Sequence, residues 1–118
     1  MIFFKIIFCS ELFLNLLITS IIKGVFEKYR NGQDSNGWHS DNEKELGENP
    51  TIASVSFGDE RYFNMKHREN KSFKLKLLLK NGSVFIMSGE TQEYWLHQIP
   101  KTNKNVGPRI NLTFRKIN

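Results

Sequence analysis

The sequence predicts an all-β sandwich or barrel. Short runs of alternating apolar and polar residues recur from residue 25 onward, each closed by a turn cluster. Helical periodicity is nearly absent beyond residue 24. An Asn81-Gly82 step between two apolar runs adds the strongest short hairpin signal, because a type I′ turn needs residues that tolerate positive φ.

The elements follow in order. Residues 1–24 form an apolar segment, expected to be a helix packed ahead of the core: Leu12, Asn15, Leu16 and Thr19 fall at helical spacing. Three readings compete with this one. Residues 2–22 are long enough for a membrane association, although Lys5, Glu11 and Asn15 interrupt them; a signal peptide would lack a small-x-small cleavage site; and the frame could begin elsewhere. Residues 25–118 are the expected core. Val25 to Tyr29 reads as a short strand, and Arg30 to Gly37 as a turn cluster. Trp38 to Asp41 is extended, and the polar stretch Asn42 to Pro50 is a loop. Ile52 to Phe57 alternates as a strand. Phe73 to Leu79 is another, with Phe73, Leu75, Leu77 and Leu79 on one face. Val84 to Met87 returns across the Asn-Gly turn, Lys101 to Pro108 is a basic loop, and Arg109 to Arg115 is the last strand.

At 118 residues the chain is one domain at most, with a globular composition. The single Cys9 excludes an internal disulfide framework and a zinc-thiolate site, and suits a reducing compartment. The expected location is cytoplasmic, or nuclear in a eukaryote. The net charge of +5 is unevenly placed. Residues 1–60 hold five Lys/Arg against nine Asp/Glu, a net of −4; residues 61–118 hold twelve against three, a net of +9. The basic half suits a polyanion such as nucleic acid, or is a lysine-rich solvated surface.

Chemistry concentrates in two places. His39-Ser40-Asp41 and the later His97 supply two imidazoles and one carboxylate from a chain with only three histidines. In a strand, residues i and i+2 share a face, so His39 and Asp41 can hold one metal while Ser40 points away. This is the facial ligand set of non-haem Fe(II) oxygenases, although ligand type alone does not choose iron over zinc. The last strand puts Ile110, Leu112 and Phe114 on one face and Arg109, Asn111, Thr113 and Arg115 on the other. Two arginines on one inward face are costly unless an anion meets them, and the arginine fork fits a carboxylate bidentately. The competing reading is a basic face turned to solvent or to Asp59 and Glu60. His67, between Lys66 and Arg68, reads as a surface residue; Tyr29 and Trp38 read as core; Glu43 either reaches a substrate or is a loop carboxylate. No Gly-rich phosphate loop or Ser/His/Asp order is present.

Taken together, Gly37-Trp38-His39-Ser40-Asp41-Asn42-Glu43, Ile52 to Gly58, Arg61 and Phe63, Trp95-Leu96-His97, and Pro108-Arg109-Ile110-Asn111-Leu112-Thr113-Phe114-Arg115 resemble the AlkB family of Fe(II)/2-oxoglutarate dioxygenases, from about Phe26 to the C-terminus. The resemblance implies a mainly β fold with a double-stranded β-helix (jelly-roll) core. It implies oxidative demethylation of alkylated DNA or RNA bases, with molecular oxygen consumed and no obligate protein partner. It also implies Fe(II) on His39, Asp41 and His97, the catalytic set. 2-Oxoglutarate would meet Arg109, Arg115, Tyr29 and Thr113, and Glu43 would contact the target base. The chain is expected to be an N-terminally truncated core without the family's lid. Glu27 stands where the family has an asparagine facing 2-oxoglutarate. The alternative expectation is therefore an inactive remnant that binds nucleic acid or metal without turnover.

Overall fold

Strand alternation sorts the side chains into two faces, and two antiparallel sheets close over the face they share. The computed structural model describes residues 2–8, 23–41 and 51–116. In chain order the strands are β1 (Ile2–Phe8), β2 (Lys23–Tyr29), β3 (Asn36–His39), β4 (Thr51–Gly58), β5 (Arg61–His67), β6 (Lys74–Leu79), β7 (Ser83–Gly89), β8 (Trp95–Ile99) and β9 (Arg109–Lys116). A four-residue helix, α1 (Thr91–Tyr94), precedes β8. One sheet has the order β1-β7-β4-β9-β2 and the other β3-β8-β5-β6. Except for the β5–β6 hairpin, consecutive strands from β2 onward alternate between the sheets, an arrangement consistent with a jelly roll.

The core lies between the sheets, where Ile52, Phe63, Met65, Leu79, Phe85, Met87, Trp95 and Ile99 are buried together with Tyr29. Phe63 and Phe85 meet edge to face across it, with ring centroids 5.1 Å apart. Successive residues of β4 face opposite ways, so Ala53 and Val55 join Val84, Leu112 and Phe114 in a second cluster behind the five-stranded sheet. Ile52 is fully buried. Ile52→Val is expected to cost about 1 kcal/mol, the scale of one lost core methyl group, measured by urea denaturation.

Two expectations are corrected. Where the N-terminal segment is described it is a strand: β1 pairs antiparallel with β7 from Ile2–Gly89 to Phe8–Ser83. Its isoleucines and phenylalanines favour extended backbone, and the open edge of β7 supplies the ladder. Residues 9–22, where the expected helix would continue, lie outside the described residues. The Asn81-Gly82 turn, in turn, does not close a hairpin. β6 pairs with β5, and β7 pairs with β1 and β4, so the turn hands the chain from one sheet to the other. Gly82 adopts φ +76° as expected. Its N–H donates to the Ser56 carbonyl (2.7 Å), and Asn81 Oδ1 accepts the Gly58 N–H (3.0 Å), which pins the crossing to β4. Among the described residues no helix is long and apolar enough to cross a membrane.

Candidate metal centre

Short strand β3 brings the first ligand group to the mouth of the inter-sheet cavity. His39 pairs in register with His97 of β8, and their rings meet edge to face with centroids 4.3 Å apart. Asp41 follows just beyond β3, with Oδ2 4.0 Å from His97 Nε2. One ligand atom from each of His39, Asp41 and His97 lies within 4.8 Å of the others. The sequence pair and the distant histidine therefore converge.

Local bonds prepare these groups for a cation. His39 Nδ1 donates to the Gly37 carbonyl at 2.6 Å, which leaves the Nε2 lone pair free. Burial, then the neighbouring His39, pushes the His97 imidazole down to about 4, against the opposing pull of Asp41. The ring is thus neutral at pH 7, as a ligand must be. Its buried Nδ1 has no hydrogen-bond partner. Asp41 is held from two sides: its N–H donates to Gln92 Oε1 (2.8 Å), and Arg115 Nη2 donates to its Oδ1 (3.1 Å). Two imidazoles and one carboxylate fit a divalent transition metal.

The basic face of β9 points inward. Arg109, Asn111, Thr113 and Arg115 are all buried, while Ile110, Leu112 and Phe114 are only half-buried. The solvent-facing reading of that strand is excluded. Arg109 is 1% exposed and donates through Nη2 to Ser56 Oγ at 2.9 Å, but its Nε and Nη1 have no partner. Arg115 Nε is likewise unpartnered. Burial pulls the Arg109 pKa below its ordinary value, which marks the cost of holding that charge. Buried donors left open on two guanidinium groups invite an anion. Asn111 donates to Thr113 Oγ1 (2.8 Å) and accepts from Ser54 Oγ (2.5 Å), so Thr113 is fixed on the same wall.

Tyr29 ends β2 opposite Arg109, whose guanidinium carbon sits 5.2 Å from the ring centroid. Its hydroxyl donates to Glu27 Oε2 (3.2 Å). Burial first, and Glu27 next, push the phenol up to about 12. The folded value exceeds the unfolded one, so this group's contribution to stability is complete below about pH 10 and is lost as pH rises through about 12. An absorbance titration at 295 nm should show a late phenolate step that Tyr29→Phe removes.

The cavity between these groups measures about 50 Å³, several times the 10–15 Å³ or so that one water needs. Tyr29, His39, Asp41, His97, Thr113 and Arg115 all line it. Glu43 lies outside the described residues. Glu27 does line the cavity. Asn36, Ser54 and Ser56 were missed in the sequence because a lone amide or hydroxyl carries no spacing signal. Gln92 was missed because it rides on the unexpected α1. His67 is partly exposed, but it is more than a surface residue: its Nδ1 accepts the N–H groups of Glu69 and Asn70, and its ring stacks on Tyr94. Trp38, expected in the core, is 40% exposed.

Residues 25–115 match the family model of the 2OG-Fe(II) oxygenase superfamily. The chain belongs to this superfamily. The resemblance to its AlkB branch also holds in individual relatives of this superfamily member. The chain is 44% identical over 97 residues to the human alpha-ketoglutarate-dependent dioxygenase alkB homolog 3, covering 75% of this chain and 34% of the relative. It is 37% identical over 115 residues to the Arabidopsis thaliana DNA oxidative demethylase ALKBH2, covering 79% and 37%. The chain thus spans about a third of the length of the curated relatives it matches. The solved structure of OsALKBH1 superposes with a TM-score of 0.64 at 23% identity, covering 79% of this chain and 48% of that one, which supports the shared fold.

Proposed function

We propose that this oxygenase chain is an AlkB-like Fe(II)/2-oxoglutarate-dependent core that oxidatively demethylates alkylated nucleic acid bases. The observation that carries the reading is the convergence of His39, Asp41 and His97 on one point of a cavity that Arg115 of β9 lines, with Arg109 buried on the same face of that strand though not itself in the lining. His39, Asp41 and His97 would hold Fe(II). The open donors of Arg109 would pair with the distal carboxylate of 2-oxoglutarate, and Arg115 would contact its other end. Tyr29 and Thr113 would border the bound co-substrate, and Glu43 would meet the target base. Bound iron would supply oxygen activation, in which one oxygen atom goes to an N-methyl group that leaves as formaldehyde and the other to 2-oxoglutarate, which becomes succinate and carbon dioxide. The chain's own work is to keep His97 neutral, to hold Asp41 between Gln92 and Arg115, and to draw a dianion towards buried guanidinium groups. The target base must leave its stack to enter.

One observation favours the second reading, an inactive remnant. The Glu27 carboxylate lines the same cavity and brings a like charge toward an anionic co-substrate. Anaerobically purified protein, given Fe(II), 2-oxoglutarate, oxygen and a methylated single-stranded oligonucleotide, separates the two. Succinate and formaldehyde in equal amounts are expected of a working demethylase. Succinate alone would leave an oxygenase without this substrate, and neither product from folded protein would establish the remnant.

A further inference from the structure

The outer face of the four-stranded sheet carries a cluster of cations and rings on the side away from the cavity. Alternation turns Tyr62, Asn64 and Lys66 of β5 outward, while Arg61, Phe63 and Met65 are buried. Register then places Lys76 beside Asn64 and Lys74 directly opposite Lys66. Like charges facing each other across strands are unfavourable unless something anionic lies over them. The Lys66 ammonium sits 4.2 Å from the centroid of the exposed Trp38 ring on β3. The Tyr62 ring is flanked by the ammonium groups of Lys76 at 4.3 Å and Lys104 at 5.5 Å.

A groove runs from Trp38 past Lys66 and Lys74 to Lys76, and among the described residues no carboxylate lines it. It meets a second groove at Asn64 and Lys76, which continues to Tyr62 and Lys104. That second groove also contains Glu60 and Asp59, the latter bonded to the Gly107 N–H. An acidic peptide would satisfy the lysines but leave the exposed indole without a flat partner. Single-stranded nucleic acid offers both phosphates and unpaired bases, the combination that basic grooves with stacking rings accept.

We propose that this face is a track for single-stranded nucleic acid outside the cavity, with Lys66, Lys74 and Lys76 on phosphates and a base stacked on Trp38. The choice of polyanion rests on the proposed function; the surface itself does not. The test is fluorescence anisotropy of the full chain with labelled, unmodified oligothymidylate across a range of NaCl concentrations. The triple variant Lys66→Gln, Lys74→Gln, Lys76→Gln should bind at least tenfold more weakly at 0.1 M salt. Its slope of log K against log salt should fall by about 2, from roughly 0.7 per phosphate contact on a single strand. Trp38→Leu should bind the oligonucleotide roughly tenfold more weakly and heparin, which has no bases, as before. Should the triple variant not fold, Lys74→Gln alone, at an exposed position, should lower the slope by about 0.7. Unchanged affinity and slope would overturn the track, and an unaffected Trp38→Leu would overturn its assignment to nucleic acid. Mn(II) and 2-oxoglutarate binding by the same proteins is read separately. Its loss in the unsubstituted chain would defeat the oxygenase reading and leave the oligonucleotide result standing.

Discussion

His39→Ala is expected to lower divalent-metal affinity by more than about a hundredfold and, with it, to abolish metal-dependent consumption of 2-oxoglutarate. Removing even a group that merely orients a ligand typically costs 10- to 100-fold or so, and this substitution removes a proposed ligand. His39 is the cleaner choice because it is partly exposed, whereas His97 is buried and stacks on Phe63 with centroids 5.1 Å apart. The fold should therefore survive the change at position 39, which circular dichroism would verify. Mn(II) titration followed by electron paramagnetic resonance reads the metal directly. Undiminished binding would remove the triad from the proposal.

Arg109→Lys is expected to weaken 2-oxoglutarate binding by about 1.5–3 kcal/mol, the scale of a lost charged hydrogen bond. The charge is retained, but the fork is not. Lysine's single ammonium cannot bond Ser56 Oγ and also present two parallel donors to a carboxylate, as Arg109 can with the second hydrogen of Nη2 beside its open Nε or its open Nη1. Calorimetric titration with 2-oxoglutarate in the presence of Mn(II) measures this without turnover. Equal affinity in both proteins would mean that Arg109 has another anion, and Glu27 is the first to examine.

Much of the site was legible because it is written with period two. The alternation of β9 separated Arg109, Asn111, Thr113 and Arg115 from Ile110, Leu112 and Phe114, and the fold kept that division. The sequence alone could not say which set faced inward, since that depends on which sheet covers the strand. The His39–Asp41 spacing was local, whereas the union with His97 rests on β3–β8 pairing across more than fifty intervening residues. The same limit explains the Asn81-Gly82 turn. Its residues encode the reversal of direction, but pairing with distant β4 and β5 decides that the strands on either side part company. Apolar Ile2 to Phe8 was ambiguous between helix and strand until β7 offered a partner.

The position of β3 has a consequence for how firmly the site is held together. β3 is four residues long, lies at the edge of its sheet, and has a register shift between Asn36 and His39. Its amides therefore belong to a unit whose opening costs far less than unfolding the whole chain. His97, in contrast, sits on β8, with a strand on each side. An ion gripping both would staple the loosest rung of the ladder to one of the tightest, and mass action would raise the opening cost of β3 with ion concentration. Hydrogen exchange at Trp38 and His39 would then report occupancy, while exchange along β8 would scarcely change. Loading the centre and finishing the edge of the fold become a single equilibrium.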